Sequence, residues 1–298
     1  MIRRAAAAAG GGLWLAASLA AQAPSSFTVG TDPATLVRGT VGVITVHPAP
    51  GSDVASLGGR AADEPLHFEP APGGGFAALI GVPIEGPDSL VVTLFPARAA
   101  AGDTVAVTLR VTEGSYRRER LSVAPKYAKP DTAEQRRILE EIAMARSISV
   151  RAHETPRLWS AAFRPPRSGR VTSPFGTARV LNGEVQSRHL GTDFAGAVGA
   201  PVRAANAGVV ALVGQFYLAG NVVYVDHGEG LVTGYFHLSR VEVAEGDTVA
   251  RGQIIGRVGQ SGRVTGPHLH WIARYGHITV DPMSLLGLRK RSEVRGER

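Results

Sequence analysis

The residues best able to do chemistry in this chain are imidazoles, and they are clustered: six of the nine histidines fall between His189 and His277. Four of them stand in three distinctive runs. In His189-Leu190-Gly191-Thr192-Asp193 the glycine argues against a helix and for a loop entering a strand. On such a path an imidazole and a carboxylate four residues apart can converge on one ion. In Gly266-Pro267-His268-Leu269-His270-Trp271, strand alternation puts His268 and His270 on one face, roughly 7 Å apart. In Tyr235-Phe236-His237-Leu238, His237 ends an apolar strand. Two imidazoles and one carboxylate suffice to hold zinc with a fourth position open to water, the layout of a catalytic rather than a structural site. Zinc lowers the pKa of its water towards about 7. An imidazole beside it can take the proton or stabilise the oxyanion that forms on a carbonyl. The chemistry this supports is amide hydrolysis.

The other histidines read as ordinary. His47, His67, His153 and His277 stand in no chemical pattern, and His227, in the turn sequence Asp226-His227-Gly228-Glu229-Gly230, reads as structural. The chain has no cysteine, which excludes a disulfide framework and a lipoprotein anchor and leaves His and carboxylate as the metal ligands. The formal charge of +7 is carried almost wholly by arginine, since lysine occurs only at Lys126, Lys129 and Lys290. A basic surface suits an anionic partner, but charge by itself does not choose one.

The elements that must position these groups are mostly strands. With 37 glycines and 19 prolines in 298 residues, short strands and many turns are favoured over long helices. From Ser26 to Val123, β-branched runs at Val41–Val46, Ala77–Ile80, Leu90–Phe95 and Val105–Val111 are separated by turn signals such as Gly86-Pro87-Asp88 and Ala101-Gly102-Asp103. The spacing predicts a small antiparallel sandwich over 26–125, immunoglobulin-like in strand spacing only. A helix is predicted from Asp131 to Arg146, with Thr132 and Gln135 in a capping-box pattern and Ile138, Ile142 and Ala145 on one face. It lies in a helical linker, 126–158. A second β domain follows over 159–288, with strands at Asn221–Asp226, Leu231–His237 and His268–Ala273, and 289–298 forms a basic tail. At the other end, Arg3 and Arg4 precede a small apolar run, Ala5 to Ala20, and small residues suited to cleavage. This predicts a signal peptide over 1–23 and an exported, periplasmic or extracellular protein. Membrane contact is then confined to that segment, should it stay uncleaved.

Taken in order, seven segments resemble the lysostaphin-type or LytM zinc endopeptidases that cut peptidoglycan. They are SPFGTAR at 173–179, HLGTDFAG at 189–196, PVRAANAGVV at 201–210, VYVDHGEGL at 223–231, YFHLS at 235–239, GDTVARGQIIGRVGQSG at 246–262 and TGPHLHW at 265–271. The resemblance covers roughly Val171 to Leu286. It implies one zinc ion held by His189, Asp193 and His270, with His237 and His268 activating water and steadying the transition state. It also implies a mainly β catalytic domain of antiparallel sheets, of the duplicated-hybrid or barrel-sandwich type, with the site in a groove closed by loops. The partner so implied is the peptide stem of peptidoglycan, not nucleic acid. Trp271 stands where Phe is frequent in the family, and residues 260–265 fall in loops that vary there.

Two rival readings are weighed on the same residues. PVRAANAGVV and GDTVARGQIIGRVG are also similar to the half-motifs of lipoyl and biotinyl carriers, but no lysine lies between Lys129 and Lys290, which excludes a covalent carrier. A catalytically silent envelope regulator that activates a wall amidase is the alternative within the family. Such relatives usually lack a zinc ligand, and this chain lacks none.

Overall fold

A computed structural model describes residues 27–52, 54–96, 104–120, 132–181 and 184–288. The predicted signal peptide, the basic tail, and Lys126 to Asp131 of the linker lie outside the described residues. Within them the chain is mainly β, built from several antiparallel sheets.

In the amino-terminal half, period-two alternation buries one side of strands such as Ser89–Pro96, where Leu90, Val92 and Leu94 face inward. Two sheets result. One orders Phe27–Asp32, Val41–Pro48, Phe76–Gly81 and Glu69–Pro70; the other orders Leu36–Val37, Val105–Thr112, Ser89–Pro96, Leu57–Ala61 and Glu64–Leu66. Phe27, Ile44 and Ile80 of the first meet Leu57, Val92, Leu94 and Val111 of the second in one core, so the half is a sandwich.

The helix runs from Thr132 to Arg151, longer than its sequence pattern predicts. Its buried side is Ala145, Ile148 and Ser149 with Ala152 beyond, packed on Val222, Tyr224, Phe236 and Ile272. Ile142, placed by its spacing on the inward face, is 42% exposed. Tertiary contact with the sheet at the carboxyl end, rather than the capping pattern at the amino end, decides which stripe is covered.

The second half is a long sheet ordered Val171–Ser173, Thr192–Ala195, His268–Tyr275, Leu231–Val241, Gly220–Asp226, Gly208–Phe216 and Thr248–Val249. Pro201–Arg203 pairs with Ile254–Val258, which pairs in turn with Leu231–Val241. Trp271, Tyr235, Tyr275, Leu238, Leu269 and Ile255 are almost wholly buried in its core, and truncating one of the aromatics would cost about 3–5 kcal/mol. The two halves are joined by packing as well as by chain. Val41 and Leu79 of the sandwich belong to the core of the long sheet, and Arg118–Arg120 pairs parallel with Ala178–Val180.

Candidate metal centre

Three neighbouring strands bring the candidate residues to one place. Asp193 on Thr192–Ala195 pairs directly with His270 on His268–Tyr275, and His270 pairs on its other side with Phe236. Alternation puts His268 on the same face as His270, with Leu269 buried between them on the opposite face. His189 lies in the short loop between Glu184–Arg188 and Thr192–Ala195, as its glycine predicts. That glycine is needed: a Cβ at Gly191 would stand 2.5 Å from His270 Cε1. The strand bearing His237 does not end there but continues to Val241. His237 sits at an irregularity in the pairing, with φ of 61°, while its N–H bonds to Ala219 O. A left-handed backbone at a non-glycine residue is uncommon, and it turns this imidazole out of the alternation that would otherwise place it.

The donor atoms converge. His270 Nδ1 lies 2.7 Å from Asp193 Oδ1, His189 Nε2 lies 3.2 Å from the same oxygen, and the two nitrogens are 3.1 Å apart. Ligands on bonds of about 2.05 Å at tetrahedral angles stand roughly 3.3 Å from one another, so the set fits a small divalent ion. His189 Nδ1 is 3.1 Å from Pro174 O and 3.2 Å from Ser173 Oγ. Donation of its proton to that carbonyl leaves the Nε2 lone pair facing the other two ligands. Burial acts to raise the Asp193 carboxyl, but the close approach of His189 and His270 outweighs it and holds the group well below the usual carboxylate range. Burial lowers His270 despite the carboxylate beside it, which keeps the imidazole neutral and able to ligate.

His237 and His268 flank this cluster, their rings 4.9 Å apart, with His237 5.9 Å from the His270 ring. His237 Nδ1 bonds to Ser261 O and His268 Nδ1 to Gly266 O, each at 2.9 Å. With both protons committed to carbonyls, each Nε2 is free to accept one from the groove. His268 Nε2 stands 3.8 Å from Asp193 Oδ1. Burial pushes His237 down to about 4. All five residues line one open groove of about 630 Å³, together with Ser173, Leu218, Ala219 and Arg263. A separate cavity of about 330 Å³ between the sandwich and Trp159 holds none of the five.

Sequence reading missed the groups that orient His189, His237 and His268, because these are backbone carbonyls that carry no side-chain signal: Pro174, Ser261 and Gly266. It also missed Tyr116. That ring packs edge-on against Phe175, with centroids 6.0 Å apart, and covers Gly176, where a Cβ would meet it at 2.1 Å. Gly176 N–H and Thr177 O in turn bond the backbone of His189 at 2.8 and 2.9 Å. The amino-terminal half therefore backs the loop of the first candidate ligand. His227, read as structural, is buried, with Nδ1 2.7 Å from Ala207 O and Nε2 2.8 Å from Thr233 Oγ1.

The sequence profile of peptidase family M23 matches residues 187–282. The chain is 49% identical over 83 residues to the peptidoglycan DD-endopeptidase ShyA of Vibrio cholerae, a stretch that is 28% of this chain and 19% of that protein. It is 42% identical over 116 residues to the DD-carboxypeptidase/endopeptidase Mpg of Neisseria meningitidis, 39% of this chain and 27% of that protein. The chain thus spans less than a third of either relative. Among solved structures, a putative peptidase M23 from Pseudomonas aeruginosa superposes with a TM-score of 0.64 at 28% identity, covering 84% of this chain and 95% of that one.

Proposed function

We propose, from the premise that the chain carries a peptidase M23 domain at residues 187–282, that it is an exported zinc endopeptidase hydrolysing peptide cross-links of bacterial peptidoglycan. The observation that carries this reading is the convergence of His189, Asp193 and His270 in an open groove, with two further imidazoles beside them whose Nε2 atoms are free to accept protons. His189 Nε2, Asp193 Oδ1 and His270 Nδ1 would hold the zinc. Bound there, it would lower the pKa of an adjacent water towards about 7 and polarise the scissile carbonyl. His268 and His237 accept the water proton at Nε2 and return it to the leaving amine, and the imidazolium stabilises developing negative charge. His237, which burial pushes down to about 4, is neutral throughout the physiological range.

Export is supported by the location of the proposed substrate and by the amino-terminal segment, in which Arg3 and Arg4 precede the small apolar run Ala5 to Ala20. The test is zinc content together with release of soluble fragments from purified peptidoglycan, before and after chelation. One zinc per chain, and hydrolysis that stops on chelation and returns with zinc, is the expected result. A zinc-replete preparation that releases no fragments, and instead stimulates a wall amidase, would replace this reading by the regulator.

A further inference from the structure

The groove over the imidazoles carries one permanently cationic side chain, Arg263, beside Leu218, Ala219, Val264 and Thr265. Asp193, the carboxylate of that lining, is turned towards His189 and His270. The Arg263 guanidinium is exposed and has no hydrogen-bond or ion-pair partner among the described residues.

The backbone beneath it is held firmly. Arg263 N–H donates to Leu218 O at 2.9 Å. Gly262, at φ of 77°, packs so closely on the turn at Leu218–Gly220 that a Cβ would lie 2.4 Å from Gly220 N. Ser261 Oγ accepts from Asn221 N–H and donates to Leu238 O, both at 2.9 Å. The Ser261 carbonyl is also the group that orients His237. The strut that fixes a candidate proton-transfer group therefore ends, two residues later, in an unpaired guanidinium.

A divalent ion held by a single carboxylate leaves the groove floor with net positive charge, and Arg263 adds to it. Low-dielectric walls focus such a field and draw in anionic rather than neutral ligands. Guanidinium meets carboxylate in a forked pair of charge-assisted hydrogen bonds, with a directional preference that ammonium lacks. Resting on the peptidase reading above, we infer that Arg263 selects substrates with a free carboxylate beside the scissile amide. The preferred class is then an acidic peptide stem rather than a neutral bridge.

The test uses two cross-linked muropeptides, identical except that the carboxyl next to the cleaved bond is free in one and amidated in the other. The zinc-loaded chain should favour the free acid by roughly tenfold in kcat/KM, chiefly through KM, as one exposed charge-assisted pair would give. In Arg263→Gln the ratio should collapse towards one, while Arg263→Lys keeps part of it and zinc content is unchanged in both. Calorimetry on the amine-side cleavage product, free or amidated, should show the same preference in binding and its loss in Arg263→Gln. A wild type without preference, or an Arg263→Gln variant that keeps it, overturns the inference. Failure of the wild type to cleave either muropeptide defeats the peptidase reading alone; the Arg263 inference then stands or falls on product binding.

Discussion

Two clusters in this molecule are built from the same parts, two histidines and one carboxylate, and only one is arranged to hold an ion. In His189, Asp193 and His270, three lone-pair atoms point at a common centre from 2.7 to 3.2 Å apart at the floor of an open groove. In His67, His153 and Glu64 the groups form a line. His67 Nε2 lies 2.8 Å from His153 Nδ1, and His153 Nε2 lies 3.0 Å from Glu64 Oε2, while Glu64 Oε1 accepts the His277 N–H. Both nitrogens of His153 are spent within the line, and the ring is capped edge-on by Tyr275. This second cluster joins the sandwich, through Glu64 and His67, to the helix end at His153 and the hairpin at Tyr275 and His277 of the long sheet. Convergence makes a ligand set, whereas a linear relay that satisfies every donor makes a joint. Residue types do not distinguish the two, but geometry does.

The sharpest way to break this contrast is to remove the carboxylate from each cluster. Asp193→Ala should lose tightly bound zinc and lower peptidoglycan hydrolysis by about 10⁴-fold, the combined worth of metal and oriented base. Full zinc occupancy in that variant, by elemental analysis, would refute the ligand set. A smaller effect separates ligand from proton carrier. His268→Ala and His237→Ala should keep zinc yet slow hydrolysis by about 10²-fold, whereas His270→Ala should lose metal and activity together. Zinc and rate measured on the same samples decide this, and loss of zinc in His268→Ala with retention in His270→Ala would mean that the two roles are exchanged.

Glu64→Ala leaves His153 and the His277 amide without their acceptor. It should cost about 2 kcal/mol in denaturant unfolding while zinc stays at one per chain; a change in zinc content would show that the second cluster is more than a joint. The smallest effect concerns acid. Burial, and then the charge of His153, lower His67 in the folded protein, so the unfolded chain binds the proton first. His67 thus contributes stability that is fully present above its unfolded value near 6.5 and is lost as the pH falls below it. The midpoint of unfolding should be lower at pH 5 than at pH 7, and His67→Gln should reduce that difference. An undiminished pH difference in His67→Gln would remove this histidine from the account.

How much of this was legible in the sequence follows from the range over which each feature is set. The strand alternation of His268-Leu269-His270 and the glycine of His189-Leu190-Gly191 are local, and both appear in the structure as the spacing predicts. The helix shows where local reading stops. Its existence follows from periodicity, but its covered stripe passes through Ala145 and Ile148 rather than Ile142, because the sheet beneath decides which residues meet apolar surface. His237 shows the same limit, since its strand does not end at the imidazole but bends through it.

The sequence by itself determined the inventory: strands rather than helices, no thiol ligands, and five chemically able residues in three short runs. Side-chain type and the two-residue strand period are properties of the local chain. Only the tertiary structure decided that His189 and His270, 81 residues apart, bring their nitrogens within 3.1 Å. It alone decided that Tyr116 backs the loop of the first ligand, and that His67, His153 and Glu64, which the spacing leaves unremarked, form a buried joint. These are distances between segments far apart in the chain. They are fixed by sheet register and by packing between the two halves, which no short run of residues encodes.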